Sequence, residues 1–206
     1  MTKKQSAEQE ILKAAMATFV KKGRHGAKMQ EIADAAGINK AMLHYYFRSK
    51  DKLYLKVFEN VFVEGFGSLH VVFKKNDTFE KKLANFVDQY TTLIMQNPQF
   101  PMFILRELSE GAEDIKQVFD QILKNIQFNL PSVFIDSIQT AIKNGEIKKV
   151  DPRQIFITII GSIAFFFIAE PLLMVFLVND KNYKRSAFIE QRKKIVTDII
   201  LNGIKS

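Results

Sequence analysis

Apolar residues recur along this chain at the three-and-four spacing of helices, and no segment alternates with the period of two that marks a half-buried strand. The first row is Ile11, Ala15 and Phe19, flanked by Leu12 and Met16, which gives a first helix one apolar side. Ser6 and Gln9 have the spacing of a capping box, whose side chains satisfy free backbone N–H groups, so this helix is predicted to begin at Ser6. Gly23 is its expected stop, because glycine takes the left-handed conformation at no steric cost. A second helix is predicted from Met29 to Ala36, with Met29, Ile32, Ala33 and Ala36 inward, and Gly37 makes the following turn. A third runs from Asn39, its expected N-cap, to Phe47. Ser49 caps a long fourth helix, expected to run from Asp51 to about Phe73. Polar breaks at 74–77, 97–98, 109–114, 144–152 and 179–186 separate further segments, all of helical length. Pro131 predicts a break or kink between Asp114 and Lys143. The fold class is therefore all-α.

Two short helices joined at a glycine have the grammar of a helix-turn-helix. Small Ala33 permits close approach, and Ile38 and Leu43 plug the seam. The third helix has two faces: Leu43 and Phe47, one turn apart, point inward, while Lys40 and His44, with Ala41 and Tyr45 alongside, point outward. Such a face suits a helix laid in a major groove. Lys28, Arg48, Lys50 and Lys52 flank it at positions able to touch phosphates, and the helix start at Ser49 offers free N–H groups.

Charge sharpens this picture. The 206 residues carry a net charge of +8. The first 56 hold twelve basic and five acidic residues, a net of +7, and the other 150 hold eighteen and seventeen, a net of +1. A basic head on a nearly neutral body indicates a polyanion-binding module joined to something else. The alternative for the charge alone is a solvated lysine-rich face.

The stretch from Glu10 to Phe58 resembles the N-terminal domain of TetR-family transcriptional regulators. The matching residues are Ile11-Leu12, Ala14-Ala15, Phe19, Gly23, Ile32-Ala33, Ala36-Gly37-Ile38, Leu43, Tyr45, Phe47, Ser49-Lys50-Asp51 and Leu53. Two departures stand out. Lys28 occupies the position where the family has a Ser or Thr N-cap, and the frequent L-Y-x-H-F ending reads Leu43-His44-Tyr45-Tyr46-Phe47. An imidazole at position 44 titrates near pH 6.5 when unperturbed, which predicts pH-dependent DNA binding.

The resemblance implies an N-terminal three-helix DNA-binding domain with the helix-turn-helix, residues 1–50, and a larger C-terminal helical ligand-binding and dimerisation domain, residues 51–206. It implies a homodimer on a palindromic, double-stranded operator, usually repressing, and released by a small effector through a population shift. Recognition helices about 34–36 Å apart reach successive major grooves. The expected DNA-binding set is Lys28, Gln30, Asn39, Lys40, Ala41, His44, Tyr45 and Lys50. Dimerisation is expected on the last two long helices, about Pro152–Val178 and Arg185–Asn202, with Ile163, Phe167, Phe188, Ile195 and Ile199 at the interface. In the final helix, Phe188, Ile195, Ile199 and Asn202 make one stripe, and Ile189, Val196 and Ile200 lie beside it.

The body is rich in phenylalanine, with 19 in the chain. An effector cavity would draw its walls from Phe62, Phe66, Phe103, Phe128 and Phe166, with His70, Tyr90, Glu107, Gln127 and Glu170 as polar groups, and would take a hydrophobic or aromatic ligand. Glu170 has a second reading, in which Pro171 opens a new helical segment and Glu170 flanks its start. The run Ile155–Val178 is long enough to span a bilayer, but it contains Glu170-Pro171 and has basic residues at both ends, so a buried helix is expected and no membrane.

Enzymatic function is not expected. His25, His44 and His70 lack metal-ligand spacing, and no G-x-S-x-G, P-loop or dinucleotide fingerprint occurs. The absence of cysteine removes thiolate chemistry, and neither cofactor nor metal is implied. Nothing at the N-terminus reads as a signal peptide, so a cytoplasmic location is expected. The rival is a helical interaction module that does not bind DNA.

Overall fold

The computed structural model describes residues 3–60, 62, 67, 69–74, 77–109, 116, 130–177 and 183–205. Helices run Lys3–Gly26 (α1), Met29–Ala35 (α2), Lys40–Phe47 (α3), Lys50–Asn60 (α4), His70–Lys74 (α5), Phe79–Gln96 (α6), Phe100–Ser109 (α7), Leu130–Lys143 (α8), Pro152–Leu177 (α9) and Arg185–Ile204 (α10). Among the described residues the only β contact is an isolated antiparallel bridge between Ile147 and Lys205. The fold is all-α, as the periodicity predicts. The chain divides into two compact units, one of Met1–Gly65 with Met102–Gln127 and one of Phe66–Pro101 with Phe128–Ser206.

In the first unit, α1 packs on α2 and α4, and α3 on α2 and α4. Its core joins Ile11, Ala15 and Phe19 of α1 to Ile32, Ala33, Leu43, Leu53, Tyr54 and Phe58, all fully buried. Phe19 meets Tyr54 edge-on at 5.0 Å, and Phe103 of α7 lies 4.9 Å from Phe58. Arg106 of α7 donates to the Val20 carbonyl at 3.2 Å.

Two local expectations need correction, and one beside them is met. Ser6 lies inside α1, which starts at Lys3, so the predicted capping box does not open the helix. Gly23, at φ 71° and ψ 170°, breaks the helical backbone as expected, and a further turn to Gly26 follows across the kink. The fourth helix does not continue to Phe73: α4 ends at Asn60, Gly67 and Leu69 lie in turns, and α5 is separate.

In the second unit, α6 packs on α5, α8, α9 and α10, and α9 packs on α8 and α10. An aromatic cluster of Phe73, Phe86, Phe134 and Phe156 joins α5, α6, α8 and α9, with centroids 5.1–6.3 Å apart. Pro131 sits in the first turn of α8, where a missing N–H is harmless. After α8, Gly145 (φ 72°) makes a paired turn: its N–H donates to Ile142 and that of Glu146 to Ala141. The Glu146 carboxylate then accepts the Phe79 N–H at 3.0 Å, capping α6 beside Thr78.

Pro171 does not open a new helix. It lies inside α9, which runs on to Leu177. Glu170 instead receives two hydrogen bonds from the Arg185 guanidinium, at 2.5 and 2.8 Å. The continuity of α9 through Pro171 corrects the reading in which Glu170 flanks a new helix start. The segment Pro152–Phe176 is long and apolar enough to cross a membrane. Ile157, Phe165, Leu172, Val175 and Phe176 of α9 are exposed, so the helix is not covered on all sides within its own chain.

Candidate nucleic-acid interface

The turn between α2 and α3 is built by backbone hydrogen bonds. The Gly37 N–H donates to the Asp34 carbonyl at 3.1 Å and the Ile38 N–H to Ala33 at 3.0 Å. This doubly bonded ending requires a left-handed residue, and Gly37 has φ 66°. Asn39 then caps α3, its side-chain oxygen accepting the Met42 N–H at 2.7 Å. Ser49 Oγ accepts the Lys52 N–H at 3.2 Å and caps α4. Lys28, at the N-cap position of α2, makes no side-chain cap. That helix start gives up about 1 kcal/mol of capping relative to a serine.

Leu43 and Phe47 of α3 are buried, whereas Lys40, Ala41, Met42, His44 and Tyr45 are exposed, Tyr45 by 73%. The two-faced helix predicted from spacing is thus the one observed. Its outer face is ringed by cations. Among the described residues, Lys28, Lys40, Arg48 and Lys52 are solvent-exposed and carry no ion pair. Lys22, Arg24 and Lys56 are paired instead, with Glu31, Asp51 and Glu59 at 2.8–3.1 Å. The hydrogen bond from Lys22 holds the Glu31 carboxyl below the usual carboxylate range. Positive charge therefore stays uncompensated on the segment that carries the helix-turn-helix.

Three DNA-contact candidates have internal partners. Lys50 donates to the His25 and Ala27 carbonyls, each at 3.2 Å, tying the end of α1 to the start of α4. One of its three N–H bonds remains for a phosphate. Gln30 Nε2 donates to Asp34 at 2.7 Å, and the Asn39 oxygen serves the cap. Residue spacing carries no sign of the Lys50 bonds, which join positions 25 and 23 residues apart.

The effector candidates fall in different places. Phe62, Phe103 and Glu107 are buried in the first unit, with Phe62 stacked on Phe58 at 5.6 Å. Tyr90 and Phe166 are buried in the second, where burial pushes the Tyr90 phenol well above its ordinary range. Phe166 stacks on Phe188 at 5.5 Å beneath the Arg192 guanidinium. These rings fill core. Phe66, Gln127, Phe128 and the His70 side chain lie outside the described residues. A small crevice in the second unit is lined by Thr91, Ile163, Phe167, Ile189, Arg192 and Lys193, with about 10 Å³ of open space, enough for roughly one water.

Of the dimer candidates, Ile195 and Ile199 of α10 are 44% and 67% exposed, while Ile189, Val196 and Ile200 are buried. The two stripes therefore face opposite ways. Ile163 is buried within its own unit and corrects the expectation that it faces a partner; Phe167 and Phe188 are half-buried.

A short, glycine-turned helix pair that presents a cation-ringed helix defines a helix-turn-helix DNA-binding protein. Residues 11–57 match the family described as bacterial regulatory proteins, tetR family. Over 205 residues the chain is 22% identical to the fatty acid metabolism regulator protein of Bacillus subtilis (strain 168), covering 99% of this chain and 98% of that one. It is 25% identical over 195 residues to the transcriptional regulator RutR of Escherichia coli (strain K12), covering 95% and 89%. The crystal structure of FadR from Bacillus subtilis in complex with stearoyl-CoA superimposes with a TM-score of 0.68 at 20% identity, covering 95% and 98%. Residues 11–57 thus carry the N-terminal domain of the tetR family, and over nearly its whole length the chain is similar to bacterial transcriptional regulators. These relatives are regulators rather than enzymes.

Proposed function

We propose that the protein is a cytoplasmic repressor that binds a palindromic operator as a homodimer and is released by a small, mostly hydrophobic ligand. Residues 1–50 act as the DNA-binding domain and residues 51–206 as the ligand-binding and dimerisation domain. The observation that carries the reading is the exposed outer face of α3 with unpaired Lys28, Lys40, Arg48 and Lys52 around it. Lys28, Arg48, Lys52 and the free N–H of Lys50 contact phosphates; Gln30, Asn39, Lys40, Ala41, His44 and Tyr45 lie along the groove.

Pairing is supported by apolar side chains that the chain itself leaves uncovered. Phe165, Leu172 and Val175 of α9 and Ile195 and Ile199 of α10 are exposed on two helices that pack together. A second copy covers them, and the helices stay out of the membrane. The hydrophobic effector is supported by the phenylalanine-rich body, and by the likeness to a fatty acid regulator and to a structure holding stearoyl-CoA.

The test is a titration of the full-length protein on the DNA upstream of its own gene, across salt, with and without long-chain acyl compounds. Specific binding that weakens steeply with salt and is relieved by an acyl ligand is expected. Equal, salt-insensitive affinity for random DNA would leave the interaction-module reading in its place.

A further inference from the structure

Sequence readout in the major groove divides by chemistry. Guanine is read by Arg or Lys, adenine by a bidentate Asn or Gln, cytosine by a carboxylate, and thymine by apolar contact with its C5-methyl group. The exposed positions of α3 are Lys40, Ala41, Met42, His44 and Tyr45. They include no Arg, Asn, Gln, Asp or Glu. The nearby amides are each half engaged: Asn39 uses its oxygen on the Met42 N–H, and Gln30 uses its nitrogen on Asp34. A bidentate adenine contact by either side chain would have to share an amide atom already held by an internal partner.

What remains in the middle of the face is carbon. Ala41 and Tyr45 lie one helical turn apart, so the methyl of one and the ring of the other form a row. Tyr45 is 73% exposed, and its ring is braced edge-on by Tyr46 at 5.8 Å. Met42, 38% exposed, lies beside the row. Apolar side chains aimed at solvent are unusual on a surface otherwise ringed by unpaired cations. The thymine methyl is the apolar group a major groove offers them.

We propose that α3 selects its half-site by packing Ala41 and Tyr45 against thymine methyl groups, with Lys40 reading an adjacent guanine. The inference rests on the DNA-binding reading above and deepens it to a class of operator.

The experiment enriches duplexes from a random-sequence pool with the full-length protein. Each half-site thymine is then replaced by deoxyuridine, which removes only the C5-methyl. Loss of about fourfold in affinity per contacted methyl is expected, the worth of roughly one buried carbon. Tyr45→Ser should abolish that loss at one or more positions, and Tyr45→Phe, which keeps the ring and removes the hydroxyl, should retain it. Circular dichroism and thermal melting of both variants should match the parent. Enriched half-sites in which uracil substitution changes nothing would overturn the proposal, even with tight specific binding. A protein that enriches no sequence and binds none tightly would overturn the DNA-binding reading as well.

Discussion

The imidazole Nδ1 of His44 lies 3.1 Å from the carbonyl oxygen of Arg48, one turn further along the chain. A carbonyl only accepts, so Nδ1 carries the proton and Nε2 faces outward. His44→Ala should free the Arg48 carbonyl and lower operator affinity at constant pH and salt, with stability changed by less than about 1 kcal/mol. Unchanged affinity would remove His44 from the interface.

Arg48 makes this contact from an unusual backbone, with φ 62° and ψ −47°. Holding a non-glycine residue there costs about 1 kcal/mol or more. Arg48→Gly is therefore expected to raise stability by about 1 kcal/mol while removing one unpaired cation. Affinity should fall, and the salt slope should drop by about one phosphate contact. Thermal melting and binding at several salt concentrations check the two effects separately. If Arg48→Gly lowered both stability and affinity, the backbone there would not be strained.

Leu43 and Tyr45, two residues apart, should respond oppositely to truncation. Leu43 is fully buried, so Leu43→Ala should lower stability by about 2–5 kcal/mol through the cavity it leaves. Tyr45 is 73% exposed and its ring meets the Tyr46 ring edge-on at 5.8 Å, so Tyr45→Ala should change stability by less than about 0.5 kcal/mol. Its effect should appear in DNA affinity alone. Urea unfolding beside operator titration separates them.

The head was legible in the sequence because its instructions are local. Gly37, Asn39 and Ser49 each act on backbone groups within a few residues, and each does what its residue type predicts. The inner face of α3 follows from the spacing of Leu43 and Phe47. Signals that compete with helix propagation were less reliable. Lys3, Lys4 and Gln5 are good helix formers, and the helix begins with them rather than at the Ser6 capping box. Pro171 removes a hydrogen bond to the Phe167 carbonyl, yet α9 continues, since its packing on α6, α8 and α10 supplies what one bond does not. Long-range pairings left no trace in spacing: the Lys50 bonds to His25 and Ala27, the Arg106 bond to Val20 and the Glu170–Arg185 pair could be found only in three dimensions. The effector site was the least legible, because a phenylalanine that lines a pocket and one that fills a core have the same pattern in sequence.

Glu170 and Arg185 form a bidentate pair in which the Arg185 side chain is half exposed and the Glu170 side chain is 15% exposed. The hydrogen bond to Glu170 holds the Arg185 guanidinium above its usual value. Solvent reaches the arginine, so Glu170→Gln should lower stability by no more than about 1 kcal/mol. Release from DNA by an acyl ligand should be unchanged. A variant that melts normally but no longer responds to ligand would place Glu170 in the effector site after all.

Ile199 and Ile200 are neighbours on α10, one 67% exposed and the other 6%. A charge at each should therefore do different damage. Ile199→Asp puts a carboxylate on the face left for a partner, where it stays hydrated in a monomer and is desolvated in a dimer. The variant should melt as an intact helical monomer, with its dimer dissociated in sedimentation equilibrium. Operator affinity should fall by roughly 10²-fold or more, because the two half-sites are no longer held by one molecule. Ile200→Asp buries the same charge inside the second unit, between α10 and the helices it packs on, and should unfold that unit instead. If Ile199→Asp stays dimeric and Ile195→Asp does too, the pairing surface is not this stripe of α10.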